Sequence, residues 1–165
     1  MKNKDATRLR EAWVPQARGE VLEIGIGSGL NLPFYSSEVQ RVIGVEPSVA
    51  LQEMARRKGA GGHTKVDFLS RSAEEPLPLP DQSIDTIVMT WTLCSIPNAP
   101  KALSQMKRVL KPDGRLPLYR AWPCSGPARR RLAGPTYAGL EADWGRLPPQ
   151  SQDRRTYRGG RIRNR

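Results

Sequence analysis

Apolar and polar positions follow two different rhythms along this chain. Four short apolar runs, VLEIG (21–25), RVIGVE (41–46), VDFLS (66–70) and IDTIVMTWTL (84–93), each give way to glycines, an acid or a polar turn. Near-continuous apolar runs of this kind mark strands buried on both faces of a parallel sheet. The segments between them have helical spacing. Residues 5–17 suit a short amphipathic helix, with Leu9 and Trp13 four positions apart on one face. A second helix opens at Pro47 and Ser48, with Ser48 as N-cap, turns Leu51, Met54 and Ala55 inward and stops at Gly59. A third follows Pro97 and Pro100 and runs to Leu110, with Leu103, Met106 and Leu110 along one face. KPDG (111–114) is then a turn, and a fifth strand begins at Arg115.

Strands alternating with helices predict an α/β domain with a parallel sheet covered on both faces. Such sheets bind ligands beyond the carboxyl ends of their strands, where the strand order reverses. The first strand delivers the chain there, into VLEIGIGSGLN (21–31). Gly25, Gly27 and Gly29 occupy alternate positions, and Glu23 lies two residues before the first. A glycine turn lets backbone approach a ligand with no Cβ in the way. The spacing E-x-G-x-G-x-G is one residue tighter than the dinucleotide fingerprint, and Glu23 would face two phosphates unfavourably. An acid there suits a positively charged group such as an amino-acid ammonium. The second strand ends in Glu46, where an acid can accept both hydroxyls of a ribose. Asp67 and Glu74 follow the third strand, where an adenine edge would lie. Together these positions describe S-adenosylmethionine rather than NAD.

With SAEEPLPLPDQSIDTIVMTWTLCSIPNAPKALSQMKRVLKPDGRL added, these segments resemble the class I S-adenosylmethionine-dependent methyltransferases. Among them the chain is most similar to the type 11 group, which includes quinone and small-molecule methyltransferases. The resemblance covers about residues 13–116. It implies a Rossmann-like doubly wound parallel sheet with strand order 3-2-1-4-5-7-6, incomplete here at its C-terminal side. It also implies S-adenosyl-L-methionine as cofactor and methyl transfer to a small or lipophilic acceptor. In that reading Gly25, Gly27 and Gly29 line the methionine portion, with Glu23 beside them. Glu46 takes the ribose, and Ala73 with Glu74 borders the adenine. Thr90, Trp91, Thr92 and Cys94 face the methyl site. The sulfonium is already a strong methyl donor, and many members have no essential base, so no catalytic residue and no metal is assigned. Asp113 stands where the family has glycine, a change a turn tolerates.

Charge divides the chain. The net charge is +11, yet residues 117–165 alone carry eleven Arg, no Lys and three acids. The boundaries expected are a methyltransferase domain over 1–116 and a basic Pro/Gly/Arg-rich tail over 117–165. The tail has no sustained period and is expected to be disordered. Pro117 stands where a central strand needs a donor. One base later, permitted codons turn PLYRAWPCSGP into LFIEHGLAPD, which resembles the family's continuation, so the tail is expected to be frameshifted. The alternatives are a basic nucleic-acid-binding protein, on the strength of the Arg-rich tail, or a non-catalytic cofactor-binding remnant. The tail's aromatics follow no stacking pattern, so no specific nucleic-acid partner is expected.

Cys94 and Cys124 form neither a disulfide framework nor a metal pattern, and His63 in GAGGHTK reads as a surface histidine. No run approaches a membrane span, and MKNKDATRLR lacks the apolar region of a secretory leader. A cytoplasmic location is therefore expected, with the oligomeric state left open.

Overall fold

The computed structural model describes residues 3–116. The tail boundary, the tail's expected disorder and its displaced frame lie outside the described residues.

Five strands form one parallel sheet: β1 (Gly19–Ile24), β2 (Val39–Val45), β3 (Lys65–Leu69), β4 (Ile84–Met89) and β5 (Leu110–Arg115). Three helices connect or precede them: α1 (Asn3–Trp13), α2 (Val49–Gly59) and α3 (Ala99–Val109). The strand order is β3-β2-β1-β4-β5. The chain winds from β1 out to β3, then crosses back to β4 on the other side of β1. The order therefore reverses between β1 and β4, and the carboxyl ends there form the ligand crevice of a doubly wound sheet. This is the Rossmann-like fold expected.

Both faces of the sheet are buried. Leu22, Ile24, Ile43, Val45, Ile87 and Met89 pack with Ala102, Leu103, Met106 and Val109 of α3. Val21, Val42 and Val88 point the other way, onto Val14, Tyr35 and Ala55 of α2. The apolar runs are thus two interleaved sets, each serving one face.

Several expected boundaries move. The first helix ends at Trp13, and a 3-10 turn at Val14–Gln16 follows, because Pro15 supplies no amide donor to continue it. β4 stops at Met89 rather than at residue 93. Trp91 has a left-handed φ of 56°, which ends strand geometry there. KPDG lies inside β5 rather than before it. Ile84 pairs with Leu110 and Thr86 with Arg115, so a single β4 residue stands opposite the whole KPDG segment, which bulges between two anchor points.

The second helix begins as expected, with the Ser48 hydroxyl accepting the Leu51 N–H at 3.4 Å. Its inward face is different. Leu51 and Met54 are 37% and 54% exposed, while Gln52 and Ala55 are 3% and 0% exposed. The Gln52 amide donates to the Glu46 carbonyl at 2.6 Å and to the Ser70 hydroxyl at 2.9 Å. Burying a satisfied amide at the carboxyl ends of β2 and β3 sets the helix rotation, so Leu51 and Met54 turn outward while Ala55 faces inward as expected.

Candidate functional site

Among the described residues, three of the four left-handed glycines lie in the turn after β1, with φ of 68° at Gly25, 54° at Gly27 and 73° at Gly29. Each has a separate reason to lack a side chain. A Cβ on Gly25 would stand 2.3 Å from Thr92 Cγ2, and one on Gly29 would stand 3.0 Å from Ala55 Cβ. At Gly27 the nearest atom is the Gly25 carbonyl oxygen at 3.9 Å. Gly25 and Gly29 are therefore closed by protein, whereas Gly27 opens onto the crevice, where a ligand can meet bare backbone.

Glu46 lies just past β2 and is 8% exposed. Its Oε2 accepts the Gly27 N–H at 3.2 Å and its Oε1 accepts the Ser48 N–H at 2.9 Å. The expected ribose acid is thus anchored against the glycine turn, and each carboxylate oxygen has a further lone pair for a hydroxyl. The bare backbone at Gly27 and this fixed carboxylate together fit an adenosyl ligand.

Glu23 sits deeper than a surface acid and is 1% exposed. It accepts from Asn31 Nδ2 at 2.7 Å and from the Tyr35 hydroxyl at 2.8 Å. Burial pushes its carboxyl up to about 7, against the pull of these two hydrogen bonds and of the Arg10 charge. Burial, with Glu23 next to it, also pushes the Tyr35 phenol well up.

Asn31 Nδ2 also donates to the Thr90 hydroxyl at 3.0 Å, and Asn31 Oδ1 accepts from Arg10 Nε at 3.0 Å. The Arg10 guanidinium lies 4.5 Å above the Trp91 ring centroid. The helix α1, the glycine turn and the loop after β4 therefore meet through one asparagine. Arg10, Asn31 and Tyr35 were not found by sequence reasoning. Asn31 and Tyr35 follow Glu23 by 8 and 12 positions in irregular backbone, and Arg10 comes from an element before the sheet, so no periodicity flags any of them.

Ala73 is buried in the core, and Glu74 beside it accepts from the Asn98 N–H and the Ser72 hydroxyl. Asp67 does not follow the third strand: it lies within β3, paired with Ile43, and makes an ion pair with Arg41 at 3.4 Å. It belongs to the sheet and not to the crevice. Thr90, Trp91 and Thr92 do stand at the mouth, with the Thr92 hydroxyl donating to the Thr90 carbonyl at 3.1 Å. Cys94 follows in the 3-10 turn Leu93–Ser95. His63 is exposed. Among the described residues no group of three or more His, Cys, Asp or Glu could hold a metal ion, and no helix is long and apolar enough to cross a membrane.

Comparison with known proteins agrees with this geometry. Residues 22–118 match the family model of a methyltransferase domain. The chain is 34% identical over 117 residues to a phosphatidylethanolamine N-methyltransferase from Cereibacter sphaeroides, covering 70% of this chain and 57% of that protein. It is 34% identical over 101 residues to a ubiquinone/menaquinone biosynthesis C-methyltransferase from Rubrivivax gelatinosus, covering 61% and 39%. The YcgJ protein of Bacillus subtilis superposes with a TM-score of 0.58 at 32% identity, covering 69% of this chain and 49% of that one. The chain thus spans about half the length of the relatives it matches. With the sheet order, the glycine turn and the second-strand acid in place, this chain belongs to the methyltransferase domain family, whose fold and kinship imply S-adenosyl-L-methionine as cofactor.

Proposed function

We propose that this chain transfers a methyl group from S-adenosyl-L-methionine to a small or lipophilic acceptor. The observation that carries the reading is the Glu46 carboxylate hydrogen-bonded to Gly27, which couples a ribose acceptor to the one glycine that opens onto the crevice. In this reading Gly25, Gly27 and Gly29 shape the cradle for the methionine portion, and Ala73 with Glu74 borders the adenine. Glu23, with both oxygens engaged by Asn31 and Tyr35, acts through its field on the ligand's ammonium. When bound, the cofactor supplies an activated methyl group. The chain's own work is to hold it, to shield the crevice with Arg10 and Trp91, and to align a nucleophile near Thr90 and Thr92.

The two relatives are named for a lipid amine and a quinone carbon, which supports a lipophilic acceptor without selecting one atom type. The test is calorimetry with S-adenosylhomocysteine and NAD, followed by transfer of labelled methyl to a quinone precursor or to phosphatidylethanolamine vesicles. Binding of S-adenosylhomocysteine and labelling of one acceptor are expected. Preference for NAD would overturn the reading. The nucleic-acid reading rests only on arginines beyond the described residues, and family membership does not favour it.

For residues 117–160 we infer a one-base displacement of the reading frame. The family match ending at residue 118 supports this, as does the family-like string the other frame permits. The nucleotide sequence across codons 110–165 tests it, and codons that cannot yield LFIEHG one base later would overturn it.

A further inference from the structure

We propose that the outer face of α2 and the adjoining glycine turn dock on the surface of an anionic lipid bilayer. The inference goes beyond the proposed activity and rests on it in one respect only: a lipophilic acceptor gives the contact its use. Among the described residues four large apolar side chains are exposed: Leu30 (47%), Val49 (71%), Leu51 (37%) and Met54 (54%). Three lie on α2 and the fourth in the turn after β1. These two segments touch. A Cβ on Gly29 would stand 3.0 Å from the Ala55 Cα, so Leu30, the next residue, lies beside α2. Single apolar residues scattered on a surface need no explanation, but four gathered on two touching segments mark a contact surface.

Charge identifies what the surface meets. Along α2, Leu51, Met54 and Lys58 follow a three- and four-residue spacing and share one stripe. Arg56 and Arg57 complete a basic last turn. Glu53, the only acid of the helix, is neutralised by Arg57 at 3.4 Å, and Arg56 stacks 4.4 Å over the Phe68 ring. Lys58 is exposed and forms no ion pair among the described residues. Its stem can lie along the apolar stripe while its ammonium reaches a phosphate. A helix resting on a bilayer in this way sets Leu51 and Met54 at the acyl boundary and its cations among anionic headgroups. A second copy would instead set the same basic turns near each other in a chain whose net charge is +11.

Position gives the contact a purpose. The helix begins just past Glu46 at the carboxyl end of β2, and Leu30 follows the glycine turn at the carboxyl end of β1. The exposed apolar residues therefore border the crevice. Docking through them brings the crevice mouth to the headgroup layer, where a lipophilic acceptor can enter without crossing water.

Co-sedimentation of the full chain with vesicles tests this, using phosphatidylcholine alone and equal parts of phosphatidylcholine and phosphatidylglycerol. The eleven Arg of residues 117–165 attract anionic vesicles by charge alone, so the decisive reading is the binding that survives high salt. The unsubstituted chain is expected to prefer the anionic vesicles and to keep part of its binding in high salt. Val49→Gln combined with Met54→Gln should lower that salt-resistant binding about tenfold and keep S-adenosylhomocysteine affinity within about twofold. Lys58→Gln should lower binding in low salt about fivefold. An unchanged melting curve records that each variant is folded, and Val49→Gln alone decides the matter if the pair does not fold. Complete release by high salt, or variants that bind vesicles as the unsubstituted chain does, overturns the proposal. So does a dimer that Met54→Gln dissociates, which would give the face to a second copy. Failure on vesicles with S-adenosylhomocysteine still bound leaves the cofactor reading standing, whereas salt-resistant docking without S-adenosylhomocysteine binding fails that reading alone.

Discussion

Glu46 accepts the backbone N–H of Gly27 at 3.2 Å and that of Ser48 at 2.9 Å, so one carboxylate joins the glycine turn after β1 to the start of α2. Removing it deprives two amides of their acceptor and the ribose of its partner. Glu46→Ala should weaken S-adenosylhomocysteine binding by about 10- to 100-fold, or roughly 1.5–3 kcal/mol. Calorimetry measures this directly, with a melting curve to record the accompanying loss of stability. A less stable variant with unchanged affinity would confine Glu46 to holding the turn.

Gly25 and Gly27 share a left-handed backbone but not the same surroundings. An alanine at either position pays about 1–2 kcal/mol for the conformation. Only at position 25 does the new methyl also meet Thr92, at 2.3 Å. Gly25→Ala should therefore destabilise the fold by roughly 3 kcal/mol or more, and Gly27→Ala by about half that. Gly27→Ala should remain folded yet lose about tenfold or more in ligand affinity, because its methyl enters the open crevice. Paired melting and binding measurements separate the two, and equal effects in both assays would remove the distinction between a closed and an open glycine.

On α2 the apparent and the actual inward faces make opposite predictions. Met54 is 54% exposed, so Met54→Gln should change stability by no more than about 0.5 kcal/mol. Gln52 is 3% exposed and serves the Glu46 carbonyl and Ser70, so Gln52→Ala should cost about 1–3 kcal/mol. Denaturant unfolding of the two variants checks this ordering, and a costlier Met54→Gln would restore the face expected from hydrophobic spacing.

That contrast shows what could be read from the residues. β1, β2 and β4 are apolar enough on both faces to announce a parallel sheet, and the acid at the end of β2 with the alternate glycines placed the crevice. The rotation of α2 was not legible, because a buried glutamine overrides the apolar Leu51 and Met54 only once the Glu46 carbonyl and Ser70 are positioned. The Arg10, Asn31 and Glu23 chain was illegible for a related reason. It joins three segments whose proximity follows from the crossing between β1 and β4 and from no local period. β5 was misplaced because a bulge that sets KPDG opposite one β4 residue resembles a turn when only the sequence is read.

The buried acid beneath the glycine turn gives the protein an unusual pH dependence. Burial raises the Glu23 pKa from 4.5 to about 7, so between those values the folded chain keeps a proton that the unfolded chain has released. The stability this contributes is fully present below about pH 4.5, falls as pH rises through the window, and levels off above about 7, an overall change on the order of 3 kcal/mol. The sign is opposite to that of a salt-bridged carboxylate. Glu23→Gln removes the titration while keeping an acceptor for Asn31 and a donor for Tyr35, whose hydroxyl can rotate to accept. The melting temperature of the unsubstituted chain should therefore fall between about pH 5 and 8 relative to that of Glu23→Gln. Ligand binding should run the other way. An ammonium near the turn favours the ionised carboxylate, so S-adenosylhomocysteine should bind more tightly as pH rises through about 7, and Glu23→Gln should flatten that rise. Parallel slopes for the two proteins in both melting and binding would show that another group sets the pH dependence and that Glu23 is ionised throughout.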